Sequence, residues 1–220
     1  MYLLKIGETM KKILFMMIAL PSFIYAEVTA NVSLTSNYVW RGVSQTGDEL
    51  AIQGGFDYAG ESGVYAGIWG SNVSFNYEFD ASAGGNEFDV YGGYANDMFD
   101  VGFISYQYPG NSSDLDFTEV YLGFTPIEGF SIYYYDLATS DFDGEFESIV
   151  SEYISLGYEV GNFSASYGMY GDAGDDILLS YGFGCGSFDC ALSYFDFSAD
   201  DSSFDELEDN GVYFSISASL

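Results

Sequence analysis

The side chains that could do chemistry in this chain are almost all carboxylates. The sequence holds 34 Asp and Glu residues against four Lys and Arg residues, and it has no histidine. Without histidine, Ser-His-Asp and Cys-His catalysis and the common zinc ligand sets are excluded. Paired carboxylates could run acid–base chemistry, but in so acidic a chain such pairs arise by chance. We therefore predict no catalytic residue, no metal site, no cofactor and no enzymatic activity.

Three groups of acids could still attract hard divalent cations, which prefer clustered oxygen ligands. They lie within residues 141–147, within residues 200–209, and at Asp172, Asp175 and Asp176. None has the spacing of an EF-hand loop. Solvated acidic loops are the favoured interpretation, with weak bridging of divalent ions to lipopolysaccharide phosphates as an intermediate alternative.

The first 26 residues differ from the rest of the chain. Lys11 and Lys12 precede an apolar run over residues 13–20, Pro21 ends that run, and small Ala26 follows shortly after. This order is typical of a secretory signal peptide, so we predict a signal over 1–26 and the mature domain over 27–220. An N-terminal membrane anchor is the alternative, although the apolar run is short for a spanning helix.

Beyond residue 26 the chain keeps a single cation, Arg41, whereas only Glu8 of its acids lies before that point. Such a charge repels nucleic acid and attracts cations. Yet 20% of the residues are aromatic and 48% are hydrophobic, which is unlike a disordered acidic chain. The mixture is explained if the acids occupy loops and a lumen while the aromatics face lipid.

Alternation of period two predicts strands rather than helices. From Asn31 to Arg41 the odd positions are mostly polar, whereas the even positions run from Val32 to Trp40 and are mostly apolar. Tyr38 and Trp40 end this apolar edge, as expected at a membrane–water boundary. Twelve antiparallel strands are predicted, over approximately 28–41, 48–59, 63–72, 87–95, 99–108, 115–125, 129–138, 149–160, 162–171, 176–184, 187–197 and 211–220.

The connections between these strands alternate between short turns and longer acidic loops. That asymmetry is typical of a transmembrane β-barrel with periplasmic turns and extracellular loops. Aromatic residues recur beside the short turns and predict a periplasmic girdle: Tyr58, Tyr94, Phe99, Phe130, Tyr158, Phe163, Phe183 and Phe188.

The segment 33–73 also resembles a known family. The pieces SNYVWRGVSQT, IQGGFDY and SGVYAGIWGSNV carry most of the resemblance, and EFDVYGGY (87–94) and DFTEVYLGF (116–124) extend it. They are similar to a bacterial outer-membrane porin family of uncharacterised role, TorF-like and Gcw_chp-type. The resemblance implies an outer-membrane barrel and supplies no catalytic or ligand residues.

The strand alternation also predicts which charged groups line the lumen. Asp57, Asp89, Glu119 and Glu159 occupy inward positions. Arg41 follows the polar parity of its strand, so we expect it in the lumen near the outer mouth. Its expected partners there are the neighbouring acids Asp48, Glu49, Glu208 and Asp209. The alternative is that Arg41 snorkels outward to lipid phosphates.

Cys185 and Cys190 flank a predicted hairpin turn. A secreted destination and an even count favour a disulfide, and two free thiols are the alternative.

The sequence as a whole predicts a porin-like outer-membrane channel for small solutes that prefers cations. A non-conducting structural or surface-interaction barrel is the alternative function. The expected partners are outer-membrane lipid and lipopolysaccharide, the barrel-assembly machinery during biogenesis, and small solutes or cations, with no nucleic acid.

Overall fold

The computed structural model describes residues 27–74, 84–109, 115–141, 150–171, 173–200 and 202–220. The predicted signal over 1–26 lies outside the described residues. So do the acids within 142–149, together with Asp172 and Asp201. The domain division into signal and barrel therefore stays a prediction.

Twelve strands close into one antiparallel barrel, and β1 completes the circle by pairing with β14. The prediction of a twelve-stranded barrel is confirmed. Two further short strands, β2 and β3, pair only with each other. The strands are β1 (Glu27–Thr35), β2 (Val39–Trp40), β3 (Val43–Ser44), β4 (Ala51–Ala59), β5 (Val64–Ser74), β6 (Gly84–Ala95), β7 (Phe99–Gln107), β8 (Phe117–Ile127), β9 (Phe130–Ser140), β10 (Glu152–Val160), β11 (Phe163–Met169), β12 (Gly174–Cys185), β13 (Phe188–Ala199) and β14 (Asp209–Ser219).

The barrel wall is apolar outside because successive side chains of a strand point to opposite faces. On β14, exposed Val212 and Phe214 alternate with inward Tyr213 and buried Ser215. Closure pairs every strand on both sides, which a spanning sheet needs in lipid. A closed antiparallel barrel with an apolar outer face is the structure of an outer-membrane protein. Among the described residues, no helix is long and apolar enough to cross a membrane.

The two ends of the barrel differ as the sequence predicts. One end carries the short turns, such as the two residues between β10 and β11. The aromatics predicted to mark this end are exposed on the outer face, except for Phe130, which is half-buried. We refer to the short-turn end as periplasmic and to the long-loop end as the outer mouth. A 3₁₀ helix (Ser202–Leu207) lies in the last long loop.

The first predicted strand, 28–41, is wrong at its C-terminal end. β1 stops at Thr35, and the chain turns into the lumen and back within residues 36–50 before β4 begins at Ala51. Tyr38 is only 9% exposed, so it does not end a lipid-facing edge. Trp40 also packs inside, against Tyr106 and Phe117. The even-numbered alternation continues through this segment although the segment has left the wall, which is why the sequence pattern misplaced it.

The hydrophobic core of the molecule lies inside the barrel, in the half of the lumen nearest the long loops. Side chains of residues 36–50 pack there against inward residues of the wall. The buried apolar cluster consists of Tyr38, Val43, Ala51, Val73, Ile104, Tyr106, Tyr108, Phe117, Val150, Tyr153, Tyr170, Ala173, Phe197 and Phe204. The apolar interior of this protein is therefore formed around an inserted segment rather than between two packed layers.

Candidate functional site in the barrel lumen

The inserted segment is built as a tight hairpin, which we call the lumen hairpin (residues 36–50). Trp40 pairs with Val43, so only Arg41 and Gly42 form the turn. Both have positive φ, 46° and 81°. Two consecutive positive φ values define a type I′ turn, the connection that best matches the twist of a two-residue hairpin. Glycine adopts this conformation readily, whereas for Arg41 it is uncommon, which places strain at the tip.

Polar side chains fix the base of the lumen hairpin. Asn37 donates to Asp48 at 2.7 Å and accepts from Ser44 at 2.7 Å. Thr46 accepts from the Tyr38 amide at 3.0 Å. The Ser74 amide donates to the Gln45 carbonyl at 2.9 Å and so ties the hairpin to β5. These bonds satisfy buried polar groups that would otherwise carry a desolvation penalty.

The hairpin tip spans the lumen and touches the opposite wall. A Cβ added at Gly42 would lie 2.6 Å from Asp176 Cβ on β12 and 3.0 Å from the Asp196 carbonyl on β13. The Tyr170 hydroxyl, just beyond β11, donates to the Arg41 carbonyl at 2.6 Å. Glycine is therefore required at position 42 both for its conformation and for the close approach to β12.

Arg41 forms a bidentate ion pair with Glu119 at this tip. Its Nη1 and Nη2 atoms donate to the two carboxylate oxygens of Glu119, each at 2.7 Å. The Arg41 side chain is 9% exposed and that of Glu119 is 0% exposed. Charge-assisted, parallel hydrogen bonds of this kind are the strong ones. The pair is thus shielded from solvent, and Glu119 has no other cationic partner among the described residues.

Aromatic rings enclose the guanidinium on its other sides. Arg41 Cζ lies 4.4 Å from the ring centroid of Trp40, 4.5 Å from that of Tyr135 and 4.1 Å from that of Tyr153. Rings within about 6 Å of a cation attract it, most strongly where water is excluded. The rings also keep the guanidinium in the plane that the Glu119 carboxylate requires.

A β-bulge lies beside Glu119. Thr118 pairs with Thr139 but Glu119 pairs with Leu137, which leaves Ala138 as an extra residue on β9. Bulges re-aim side chains and increase local twist, often next to functional sites. Here the bulge coincides with the strand position that presents Glu119 to the hairpin tip.

Further acids join this level of the lumen, which we call the outer layer (Arg41, Glu87, Asp89, Glu119 and Asp176). Glu87 accepts from the Tyr38 hydroxyl at 3.0 Å, and Asp176 accepts from Tyr153 at 2.9 Å. Glu87, Asp89 and Asp176 are each at most 2% exposed. Four carboxylates and one guanidinium therefore occupy the lumen near the outer mouth.

A second level lies toward the periplasmic end, and we call it the inner layer (Asp57, Asp100, Tyr65, Tyr91, Tyr121 and Tyr133). Tyr65 and Tyr133 donate to the two oxygens of Asp100, at 2.7 and 3.2 Å. Tyr91 and Asn31 donate to Asp57. The hydroxyls of Tyr65 and Tyr121 are hydrogen-bonded to each other. The inner layer thus holds its carboxylates with neutral hydroxyl and amide donors.

Inward glycines make room for the inner-layer rings. Each tyrosine ring covers a glycine that is its direct partner on the adjacent strand. The pairs are Tyr91 over Gly67, Tyr65 over Gly93, Tyr121 over Gly102 and Tyr133 over Gly123. In each pair, a Cβ on the glycine would collide with the ring. The strand glycines therefore permit bulky side chains to lie flat against the wall of a narrow lumen.

The predicted pore-lining residues all occupy lumen positions, but in different places. Arg41, Asp89 and Glu119 lie in the outer layer, and Asp57 lies in the inner layer. Glu159 shares the inward parity of Tyr153 and Ser155 but lies one residue from the periplasmic end of β10. The partners predicted for Arg41 (Asp48, Glu49, Glu208 and Asp209) are wrong, because the hairpin carries Arg41 away from the mouth loops to Glu119 on β8.

Sequence reasoning missed three buried lumen acids. Glu87 lies two residues before Asp89 on β6 and therefore points to the same side. Asp100 is the first inward-pointing residue of β7. The alternation of the strands could have identified both. The sequence groups Asp176 with the loop acids Asp172 and Asp175, yet it lies inside β12 opposite Gly168. Because β12 begins at Gly174, Asp176 belongs to the barrel wall and not to the preceding loop.

The two cysteines form a disulfide at the periplasmic turn between β12 and β13, with Cα atoms 5.9 Å apart. They are not direct cross-strand partners, because Cys185 pairs with Phe188 and Cys190 with Phe183. The bridge is therefore diagonal. Phe183 points outward; Cys185 lies two residues further along the same strand, and Cys190 is the cross-strand partner of Phe183. Both cysteines therefore lie on the outer face of the wall, and the disulfide does not line the lumen.

The chemistry available in this lumen is electrostatic. The six acids of the outer and inner layers line it together with one cation, Arg41, and tyrosine hydroxyls serve as donors. Among the described residues, no group of three or more His, Cys, Asp or Glu side chains is arranged to hold a metal ion. The arrangement can select, hold or repel ions.

Comparison with solved structures finds membrane barrels. Outer membrane phospholipase A from Escherichia coli is 9% identical, with 87% of this chain and 92% of that chain covered and a TM-score of 0.46. The NanC porin is 10% identical, with 88% and 100% covered and a TM-score of 0.47. A mutant of the Rh. blastica porin is 14% identical, with 77% of this chain and 55% of that chain covered and a TM-score of 0.39.

The family comparison is more specific. No curated protein matches the chain. A family model described as "Bacterial protein of unknown function (Gcw_chp)" matches residues 24–177. This match covers more than half of the sequence and includes the segment 33–73 on which the resemblance was based. The chain therefore belongs to the Gcw_chp family of bacterial proteins.

Proposed function

We propose that this protein is a narrow, porin-like channel of the outer membrane that passes small solutes and prefers cations. The observation that carries the proposal is the charge of the lumen. Asp57, Glu87, Asp89, Asp100, Glu119 and Asp176 point inward, and Arg41 is the only Lys or Arg beyond residue 26. Carboxylates lining a narrow pore favour cations over anions.

The lumen hairpin is the constriction in this proposal. Thr35 and Ala51, which flank it, are direct cross-strand partners, so a short turn could join β1 to β4 without it. The chain instead places 15 residues between them and directs these into the lumen. The conductance of the protein should therefore be small and set by how closely the hairpin fits.

The proposal is tested by conductance of the refolded protein in planar bilayers under a salt gradient. The informative variant replaces residues 36–50 with a short Asn-Gly linker. We expect larger single-channel conductance in this variant and a cation-selective reversal potential in both proteins. Anion preference would contradict the selectivity.

The inner layer gives a matched charge test. Asp57→Asn/Asp100→Asn removes two lumen carboxylates, whereas Asp97→Asn/Glu128→Gln removes two exposed acids at the periplasmic turns. We expect the first pair to reduce cation preference more than the second. Equal shifts would show that the reversal potential reports surface charge rather than the lumen.

A non-conducting barrel with a structural or surface-interaction role is the second candidate function. It is favoured by the burial of the outer layer, where Glu119 and Tyr170 are 0% exposed. The same bilayer experiment separates the two functions. Absence of current from both the intact protein and the hairpin-free variant would support the non-conducting barrel and contradict the channel.

A further inference from the structure

Glu87 and Asp89 form an acidic pair that no Lys or Arg among the described residues neutralises. They occupy successive inward positions on β6 and are 2% and 1% exposed. Residues two apart on a strand project from the same face, so both carboxyl groups point into the same part of the lumen. Two like charges on one buried face repel each other, so the pair needs either a proton or an additional positive group beside it.

The part of the chain that the structure describes supplies no such positive group. Arg41 is the single Lys or Arg beyond residue 26, and both of its terminal nitrogens are engaged by Glu119. Asp89 also lies close enough to Glu119 to feel that carboxylate, which adds to the negative potential. The outer layer is therefore short of positive charge at the β6 side, opposite the hairpin tip.

Each carboxylate of the pair also has an oxygen without a partner. Glu87 Oε2 and Asp89 Oδ1 are buried and accept no hydrogen bond, whereas Glu87 Oε1 accepts from Tyr38 at 3.0 Å. Buried polar atoms are satisfied in nearly all native structures, and an unsatisfied one calls for a water or an ion. Two unsatisfied anionic oxygens on adjacent side chains point to a bound cation.

The surroundings offer further oxygen ligands. The Tyr38 hydroxyl contacts Glu87, and Ser71 is the direct cross-strand partner of Glu87 on β5. Carboxylate and hydroxyl oxygens suit hard cations such as Ca²⁺ and Mg²⁺, which fill the rest of their coordination with water. Neither cysteine is near this pair, because both are in the disulfide at the periplasmic end.

We propose that Glu87 and Asp89 bind one hard divalent cation in the outer half of the lumen. The ion neutralises both carboxylates and bridges β6 to the lumen hairpin through the Tyr38 contact. The site goes beyond the proposed channel function, because it stands whether or not the barrel conducts.

The test uses the refolded mature barrel in detergent micelles after treatment with a chelator. Tb³⁺ serves as the probe, because Trp69 and Tyr38 are close enough to transfer excitation to an ion at this site. Trp69 is the cross-strand partner of Asp89, and its ring centroid lies 5.4 Å from that of Tyr38. We expect saturable Tb³⁺ emission that Ca²⁺ displaces, together with a higher thermal midpoint in Ca²⁺.

The diagnostic variant is Glu87→Gln/Asp89→Asn, and the control is Glu206→Gln/Glu208→Gln. The control removes the same charge from exposed positions in the last long loop. We expect the diagnostic variant to lose the saturable emission and the Ca²⁺-dependent thermal shift, and the control to keep both. Unchanged emission in the diagnostic variant would refute the site, because loop acids would then be the ligands.

A shared proton is the competing way to neutralise the pair. An infrared carboxyl band that is present in the Ca²⁺-saturated intact protein and missing from the diagnostic variant would overturn the proposal. The variant's own folding is checked by comparing its migration on gels with and without heating. An Asp89→Glu variant, which keeps both charges, should retain Ca²⁺-dependent stabilisation.

Discussion

The outer and inner layers of the lumen hold buried carboxylates in opposite ways. In the outer layer, Glu119 is paired with a full positive charge that a separate chain segment delivers across the lumen. In the inner layer, Asp100 is held by hydroxyls of Tyr65 and Tyr133, which belong to the wall strands. The outer arrangement depends on an inserted segment, whereas the inner one uses side chains of the wall itself, from β5 and β9 on either side of β7.

This difference shows that one barrel can contain two independent solutions to burying acids. The tyrosines of the inner layer cover glycines on adjacent strands of the wall, from β5 to β9. The outer layer forms only when the lumen hairpin reaches β8 and β11. Removing a group from the outer layer should therefore affect one well-defined contact, and removing one from the inner layer should affect a distributed network.

The largest effect is expected from Arg41→Ala. It leaves Glu119 as a buried and unpaired carboxylate, which costs about 3–5 kcal/mol. We expect that loss in urea unfolding of the protein in lipid vesicles, followed by tryptophan fluorescence. Trp40 and Trp69 both lie in the outer half and report on it directly.

The control for Arg41 is a double variant, Arg41→Met/Glu119→Leu. Removing both charges should recover most of the lost stability, because neither partner then remains buried alone. If the double variant is as unstable as Arg41→Ala, the pair is not the source of the effect and the contrast between layers fails.

A smaller effect is expected from Gly67→Ala in the inner layer. The added methyl group meets the Tyr91 ring, and overpacking of this kind typically costs ~1–3 kcal/mol. Gly184→Ala on β12 is the matched control, since nothing lies within 4 Å of its added Cβ. Equal unfolding midpoints for the two variants would mean that the tyrosine rings are not fixed against the wall.

The smallest effect is expected from Tyr65→Phe. It removes one donor to Asp100, which keeps its bond from Tyr133, so we expect a loss of about 0.5–1.5 kcal/mol. Tyr158→Phe on the exposed outer face is the control. A loss as large as that of Arg41→Ala would show that the inner layer is not a distributed network.

Much of the wall could be predicted from the sequence because a strand has an exact repeat of two. The alternation of inward and outward residues predicts Asp57, Asp89 and Glu119 on the lumen side, where they lie. The twelve-stranded closure followed from the number of alternating segments and is confirmed. These features depend on local geometry, which neighbouring residues encode.

The lumen hairpin could not be predicted in the same way. Residues 36–40 continue the alternation of β1, so parity gives no sign that the chain has left the wall. The one local signal is Gly42, because glycine readily adopts the positive φ that a two-residue hairpin turn uses. The choice of Glu119 as partner depends on a strand 78 residues away and on the bulge beside it, and no local pattern encodes that distance.

The tip of the lumen hairpin also has a kinetic consequence. It bonds to residues 78 and 129 positions further along the chain, so its contacts form only after most of the barrel has assembled. Contacts of such sequence separation are slow to form, and those absent from the transition state govern the rate of unfolding rather than of folding. The contacts of the hairpin tip thus form late, and the lifetime of the assembled barrel depends on how rarely they break.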